Sequence, residues 1–132
     1  MAEAARTRVL VVDDASLVRL YYRGVLERAG FEVGEAQNGI EALEKLLLGG
    51  VDLLIVDVNM PLMDGMTFLR TLRRQAMPIA AIPALVASTE AGLQDIRAAT
   101  EAGANLYLVK PLDADTLAQC ARLLTGAAAW TN

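Results

Sequence analysis

The chain has 132 residues, a net charge of −4, 55% hydrophobic residues, one cysteine (Cys120) and no histidine. That length suits one domain with one sizeable core, the acidic balance sets up no field that draws in nucleic acid or an anionic membrane, and a lone thiol without histidine offers neither an internal disulfide nor the usual zinc ligands. No apolar run approaches the roughly 20 residues of a membrane-spanning helix, and the mixed-charge start Met1-Ala2-Glu3-Ala4-Ala5-Arg6 lacks the apolar stretch of a secretory signal, so a cytoplasmic location and protein partners are expected.

Val9-Leu10-Val11-Val12 is a continuous, β-branched-rich run that ends abruptly in Asp13-Asp14. This is the pattern of a strand buried on both faces (β1, 9–12) that emerges at a sheet edge. Ser16 stands where it can cap a helix (α1) whose apolar residues Val18, Tyr21, Tyr22 and Val25 recur at helical spacing as far as Gly30. A short strand follows (β2, 31–36). Asn38 or Gly39 starts a helix that runs through Leu48 (α2), and Gly49-Gly50 stops it before the third strand (β3, 51–56), which again ends in an aspartate, Asp57. Beyond a loop with Pro61 and Asp64-Gly65 the pattern predicts a helix over 66–75 (α3), a strand over 82–87 (β4) ending at Ser88-Thr89, and a helix over 93–102 (α4) closed by Gly103. A strand over 106–109 (β5) then runs into Lys110-Pro111, and a helix over 113–125 (α5) completes the series. Cys120 falls with Leu117, Ala121 and Leu124 at helical spacing and reads as core.

Strands alternating with helices of this length make a parallel sheet covered on both faces, because parallel neighbours need crossovers. The fold class is therefore α/β, doubly wound. In such sheets the polar site lies outside the carboxyl ends of the strands, where strand order reverses. Four predicted strands end there in polar residues: Asp13-Asp14, Asp57, Ser88 and Lys110. Each alone has an ordinary explanation as a turn former, a cap or a solvated charge, but turn chemistry does not require them to converge from distant positions. Two carboxylates about 4 Å apart repel by about 4 kcal/mol at the effective dielectric near a protein surface, so Asp13, Asp14 and Asp57 together call for a cation. Oxygen ligands suit Mg²⁺, or Mn²⁺ in its place. Carboxylates, such an ion, a lysine and a hydroxyl can hold a transferring phosphoryl group, and an aspartate can be its acceptor.

At these residues the chain resembles a known family. Val9-Leu10-Val11-Val12-Asp13-Asp14, Asp57-Val58-Asn59-Met60-Pro61-Leu62-Met63-Asp64-Gly65, Ser88, and Tyr107-Leu108-Val109-Lys110-Pro111 are similar in kind and order to the receiver domains of two-component response regulators, especially the stand-alone chemotaxis type. The resemblance runs from about residue 8 to 125, leaving 1–7 and 126–132 as short tails. It implies a flavodoxin-like (βα)5 fold with the strand order 2-1-3-4-5 typical of such receivers. It implies Asp57 as phosphoacceptor, Asp14 as a direct Mg²⁺ ligand together with Asp57, Asp13 as holder of the metal's waters, and the backbone carbonyl of Asn59 as a further ligand. Lys110 would neutralise a phosphoryl oxygen, and Ser88, in place of the commoner threonine, would donate its hydroxyl to another. Tyr107 would be the switch residue of the α4-β5-α5 face, Lys110-Pro111 a cis peptide, and Asn59 with Glu90 the pair that sets the phosphoryl lifetime.

The function implied is a switch rather than an enzyme: phosphoryl transfer from a histidine kinase or phosphotransfer protein, then altered binding of a downstream protein. A monomer or weak dimer is expected, with no direct nucleic acid or membrane binding. An aspartate-nucleophile, Mg²⁺-dependent phosphatase and a phosphotransfer relay or phosphate sink remain as alternatives. Trp130, in the tail, is expected to be a poor reporter of the site.

Overall fold

The computed structural model describes residues 6–127. Its elements are β1 Arg8–Val12, α1 Ser16–Arg28, β2 Glu32–Ala36, α2 Gly39–Leu47, β3 Leu53–Asp57, α3 Gly65–Arg73, a 3-10 turn Ile79–Ala81, β4 Ala84–Ser88, α4 Leu93–Ala102, β5 Leu106–Val109 and α5 Ala114–Thr125. The five strands are all parallel in the order β2-β1-β3-β4-β5, the flavodoxin-like order that the resemblance implied. Among the described residues, no helix is long and apolar enough to cross a membrane.

Alternate side chains of the strands feed two cores, as the period of a pleated strand dictates. Leu10, Val12, Leu54, Val56 and Val86 pack beneath α2 and α3 with Phe68, Leu69 and Leu72. Val9, Val11, Leu53, Ile55 and Leu85 pack beneath α1 and α5 with Leu26, Leu117 and Ala121. Because β3 is buried along its whole length, its sequence is an uninterrupted apolar run rather than an alternating one. Cys120 is half-buried against the second core, and burial pushes its thiol pKa up.

Helix starts follow from their caps. Asn38 accepts from the Glu41 N–H, Asp64 from the Thr67 N–H and Asp113 from the Thr116 N–H, each satisfying a donor that a helix leaves unpaired. The first helix departs from expectation. Ser16 is its first residue, not its cap; the cap position is Ala15, without a side-chain bond. Asp13 instead fixes the turn ahead of the helix, its Oδ1 accepting the Ala15 N–H at 2.9 Å. Strand starts also shift. The Asp52 N–H donates to the Arg8 carbonyl at 2.8 Å and its carboxylate accepts the Arg8 N–H at 2.9 Å, so residues 51–52 lead into β3 without joining its ladder. The approach to β4 is a 3-10 turn followed by Pro83, and the strand begins at Ala84.

That approach is held by Arg73 at the end of α3. Its guanidinium donates to the carbonyls of Ala80, Ile82 and Gly103 at 3.0, 2.7 and 2.6 Å and to Asn105 Oδ1 at 2.8 Å. Asn105 Oδ1 also receives the Ala84 N–H at 2.8 Å. One cation thus joins the end of α3, the entry to β4 and the end of α4, and burial lowers its pKa. Gly103 permits this: its φ is 119°, and a Cβ there would meet the Arg73 side chain at 2.6 Å. Replacing Arg73 by Met strands several carbonyls, each costing about 1–3 kcal/mol when left unpaired. Arg73→Met is expected to lower stability by about 2–3 kcal/mol, read from urea unfolding midpoints.

Candidate functional site

The order of strands places β3 between β1 and β4, so the chain reverses direction across the sheet at the β1/β3 junction, and a crevice opens at the carboxyl ends there. The register aligns Val12 with Val56 and Asp57 with Ala87, which brings Asp13, Asp57 and Ser88 to neighbouring strand ends. All three are almost fully buried, and they are the buried polar side chains among the described residues. Asp14 stays exposed beside them.

Lys110 reaches across from the end of β5. Its Nζ lies 2.9 Å from Asp57 Oδ1 and 3.2 Å from Asp13 Oδ2. The Lys110-Pro111 bond is cis, and the Lys110 N–H donates to the Ser88 carbonyl at 2.7 Å. Carboxylate oxygens of Asp13, Asp14 and Asp57 lie within 4.8 Å of one another. Three carboxylates against one ammonium leave a formal surplus of two negative charges (3 − 1 = 2).

The electrostatics follow from that surplus. Burial raises the Asp57 pKa, the charges of Asp13 and Asp14 raise it further, and the Lys110 ammonium only partly offsets them. For Lys110, burial works against the charge, but the bond to Asp57 and the charges of Asp13 and Asp57 prevail and its pKa rises. The donors are all oxygens on a doubly negative site, which fits a hard divalent ion such as Mg²⁺ and no thiolate- or imidazole-seeking metal.

The surrounding loops carry the remaining site residues. Asn59, two residues past Asp57, is exposed, and its carbonyl accepts no hydrogen bond among the described residues. Gly65 is needed by close approach, since a Cβ there would lie 2.5 Å from the Asp57 carbonyl oxygen. Leu62 has a left-handed φ of 71°, closed by the Met63 N–H on the Pro61 carbonyl at 2.8 Å, a strained turn for a non-glycine residue. On the far side, Ser88 Oγ accepts the Glu90 N–H at 3.0 Å and the Tyr107 hydroxyl donates to the Glu90 carbonyl at 2.7 Å. Ser88 and Tyr107 are therefore joined through the Glu90 backbone, while the Glu90 residue is exposed. Trp130 lies outside the described residues.

The model of the response regulator receiver domain matches residues 9–122. The chain belongs to that family. It is 36% identical over 121 residues to the chemotaxis protein CheY1 of Helicobacter pylori, covering 90% of this chain and 97% of that protein. It is 39% identical over 123 residues to a gliding motility regulatory protein of Myxococcus xanthus, where 92% of this chain spans 16% of the relative. The structure of Vibrio cholerae chemotaxis protein CheY4 matches with a TM-score of 0.85 at 35% identity, covering 91% of this chain and 99% of that one. This is a CheY-like receiver domain of two-component signalling. Receivers are phosphoacceptor switches that typically bind Mg²⁺ in an acidic pocket, and the oxygen cluster described above suits that ion.

Nothing in the sequence pointed to Arg19, and Leu62 and Gly65 stand in the motif after Asp57 with no role attached to them. Only Gly65 carried a local signal, the Asp-Gly pair ahead of a helix; the other two look like a solvated helix charge and a loop apolar residue until folded.

Because its folded pKa is raised, the Asp57 carboxyl favours the fold while protonated, and that contribution is lost as pH rises through the folded value. Ionised Asp57 therefore costs the metal-free protein stability at neutral pH. Asp57→Asn in EDTA is expected to gain on the order of 1 kcal/mol at pH 7, with the gap narrowing as acid protonates the parent. Chemical unfolding at several pH values measures this, and Mg²⁺ should stabilise the parent more than the variant.

Proposed function

We propose that Asp57 accepts a phosphoryl group from a phosphohistidine donor and that the modified domain, residues 8–125, then binds a downstream protein through its α4-β5-α5 face. The observation that carries this reading is the nearly buried Asp57 at the end of the central strand, bonded to Lys110 and clustered with Asp13 and Asp14. The sequence contains no histidine, so the donor residue lies outside these 132 residues.

In the transfer, an Asp57 carboxylate oxygen attacks phosphorus in line, the P–N bond to the donor imidazole breaks, and an acyl phosphate forms. Lys110 neutralises one phosphoryl oxygen. Ser88 donates its hydroxyl proton to a second. Asp14, Asp57 and the Asn59 carbonyl would hold Mg²⁺ directly and Asp13 would hold its waters; the ion would supply charge for the remaining phosphoryl oxygens. Because Ser88 and Tyr107 share the Glu90 backbone, drawing Ser88 toward the phosphoryl group pulls on the peptide that anchors the Tyr107 hydroxyl, and so on the α4-β5-α5 face. Beside Lys110 a groove of about 540 Å³ is lined by Leu17, Tyr21, Tyr22, Pro111 and Leu112, an apolar wall suited to a protein donor more than to a small phosphate ester.

With acetyl phosphate and Mg²⁺ the parent is expected to take up about one phosphoryl group and Asp57→Asn none, and EDTA should stop uptake. Intact-mass spectrometry reads all three. Equal uptake by the variant would displace Asp57 as acceptor, and sustained turnover of phosphate esters would favour a phosphatase.

Loss of the group needs water in line with the Asp57 oxygen, passing Asn59 and Glu90. Both residues are exposed and polar and leave that path open, so a lifetime on the order of seconds to minutes is expected. Asn59→Arg crowds the approach and should lengthen the lifetime about tenfold, equivalent to about 1.4 kcal/mol in the barrier, with acceptance largely intact. Decay after donor removal, followed in the parent, Asn59→Arg and Glu90→Ala, tests this; three indistinguishable decays would assign the two residues no kinetic part.

A further inference from the structure

The Asp13-Asp14 turn is fixed by more contacts than its carboxylate chemistry requires. The Asp13 N–H donates to the Ala36 carbonyl at 3.1 Å, its Oδ1 accepts the Ala15 N–H at 2.9 Å and its Oδ2 faces Lys110 at 3.2 Å. Its carbonyl accepts from Arg19 at 2.6 Å. Arg19 is itself tied down: its Nε lies 2.9 Å from Glu35 Oε1, and its side chain is only 12% exposed. Glu35 is gripped in turn. Arg23 pairs with its other oxygen at 2.7 Å, Lys45 donates to its backbone carbonyl, and the two arginines hold its pKa down, led by the Arg23 bond.

Asp14 makes no ion pair and no side-chain hydrogen bond among the described residues, and it is exposed. Nothing but its backbone aims its carboxylate, and the peptide that leads into Asp14 is the one whose oxygen Arg19 holds. We infer that Arg19, braced by Glu35, is a positioning residue that sets the Asp13-Asp14 peptide and thereby the divalent-cation affinity of the site; the inference rests on the reading of that cluster as the Mg²⁺ site.

Charge alone argues the opposite way. A cation beside a metal site repels the metal, so removing it should tighten binding. Here the Arg19 charge is met at 2.9 Å by Glu35, and Arg23, which shares Glu35, is also paired with Glu27 at 3.3 Å, so two arginines face two glutamates, the field at the site is small and the loss of orientation dominates. Groups that orient metal ligands from behind typically matter about 10–100-fold in affinity. The sign of the change separates the two effects.

The test is calorimetric titration of the phosphate-free protein with MgCl₂, on the parent, Arg19→Gln, Arg19→Lys, Glu35→Gln and Asp14→Ala, with thermal unfolding of each in EDTA. Arg19→Gln is expected to weaken Mg²⁺ binding about tenfold. Arg19→Lys, which keeps a donor for the Asp13 carbonyl, should recover most of that loss. Glu35→Gln, which leaves Arg19 in place but unbraced, should fall between. Saturating Mg²⁺ should restore phosphorylation of Arg19→Gln by acetyl phosphate. An affinity of Arg19→Gln equal to or tighter than the parent's overturns the inference, as does a fall in unfolding temperature without a change in Mg²⁺ affinity. Should Arg19→Gln not fold, the double variant Arg19→Gln/Glu35→Gln, which removes both charges of the pair together, decides, and parental affinity there overturns the inference. Absence of Mg²⁺ binding in the parent, or unchanged binding in Asp14→Ala, would instead overturn the assignment of the metal site.

Discussion

Lys110 shares its ammonium between Asp57 at 2.9 Å and Asp13 at 3.2 Å, and much of the molecule is arranged around that shared charge. Two nearly buried carboxylates at adjacent strand ends would be costly without it. With it they are tolerated but not neutralised, since the Asp57 pKa still lies above its ordinary range. The site is thus kept short of positive charge by two units, and a divalent cation or the chemistry of phosphoryl transfer has something to complete.

Holding that imbalance in place takes the whole sheet. The residues meet because β1, β3, β4 and β5 end within two residues of one another in register, and that register is fixed by apolar side chains that enter two separate cores. Slipping any strand by one residue would turn its core set to the wrong face. Register and site geometry are therefore the same constraint, and the close seat of Gly65 against the Asp57 carbonyl extends it into the following loop.

How much of this the sequence disclosed depended on where each signal lay. Strand ends were legible because a doubly buried strand is an apolar run and the polar residue at its end marks the rim, as at Asp13, Asp57 and Ser88; Lys110 ends a partly exposed edge strand that is still an apolar run. Strand beginnings were less so. Val51-Asp52 looks like strand, yet Asp52 bonds to the Arg8 backbone and starts the ladder late. Ser16 has the chemistry of a cap, yet it is the first residue of the helix, and the cap position falls on Ala15. Arg19 could not be read at all. Its partners are a nearby backbone carbonyl and a carboxylate 16 residues away on β2, and only folding makes them neighbours.

Helix α4 buries nothing larger than alanine. Ala99 and Ala102 are its buried residues, it has no side-chain cap, and Leu93 at its start is 72% exposed. Its far end is secured by Gly103 and Arg73, groups that α4 itself does not supply from its outer surface. Its outward residues therefore carry little of the fold's stability. They can change at little cost to the fold, while the acidic rim, bound to the register of the sheet, cannot. The scaffold can in this way vary its outer surface without disturbing its chemistry.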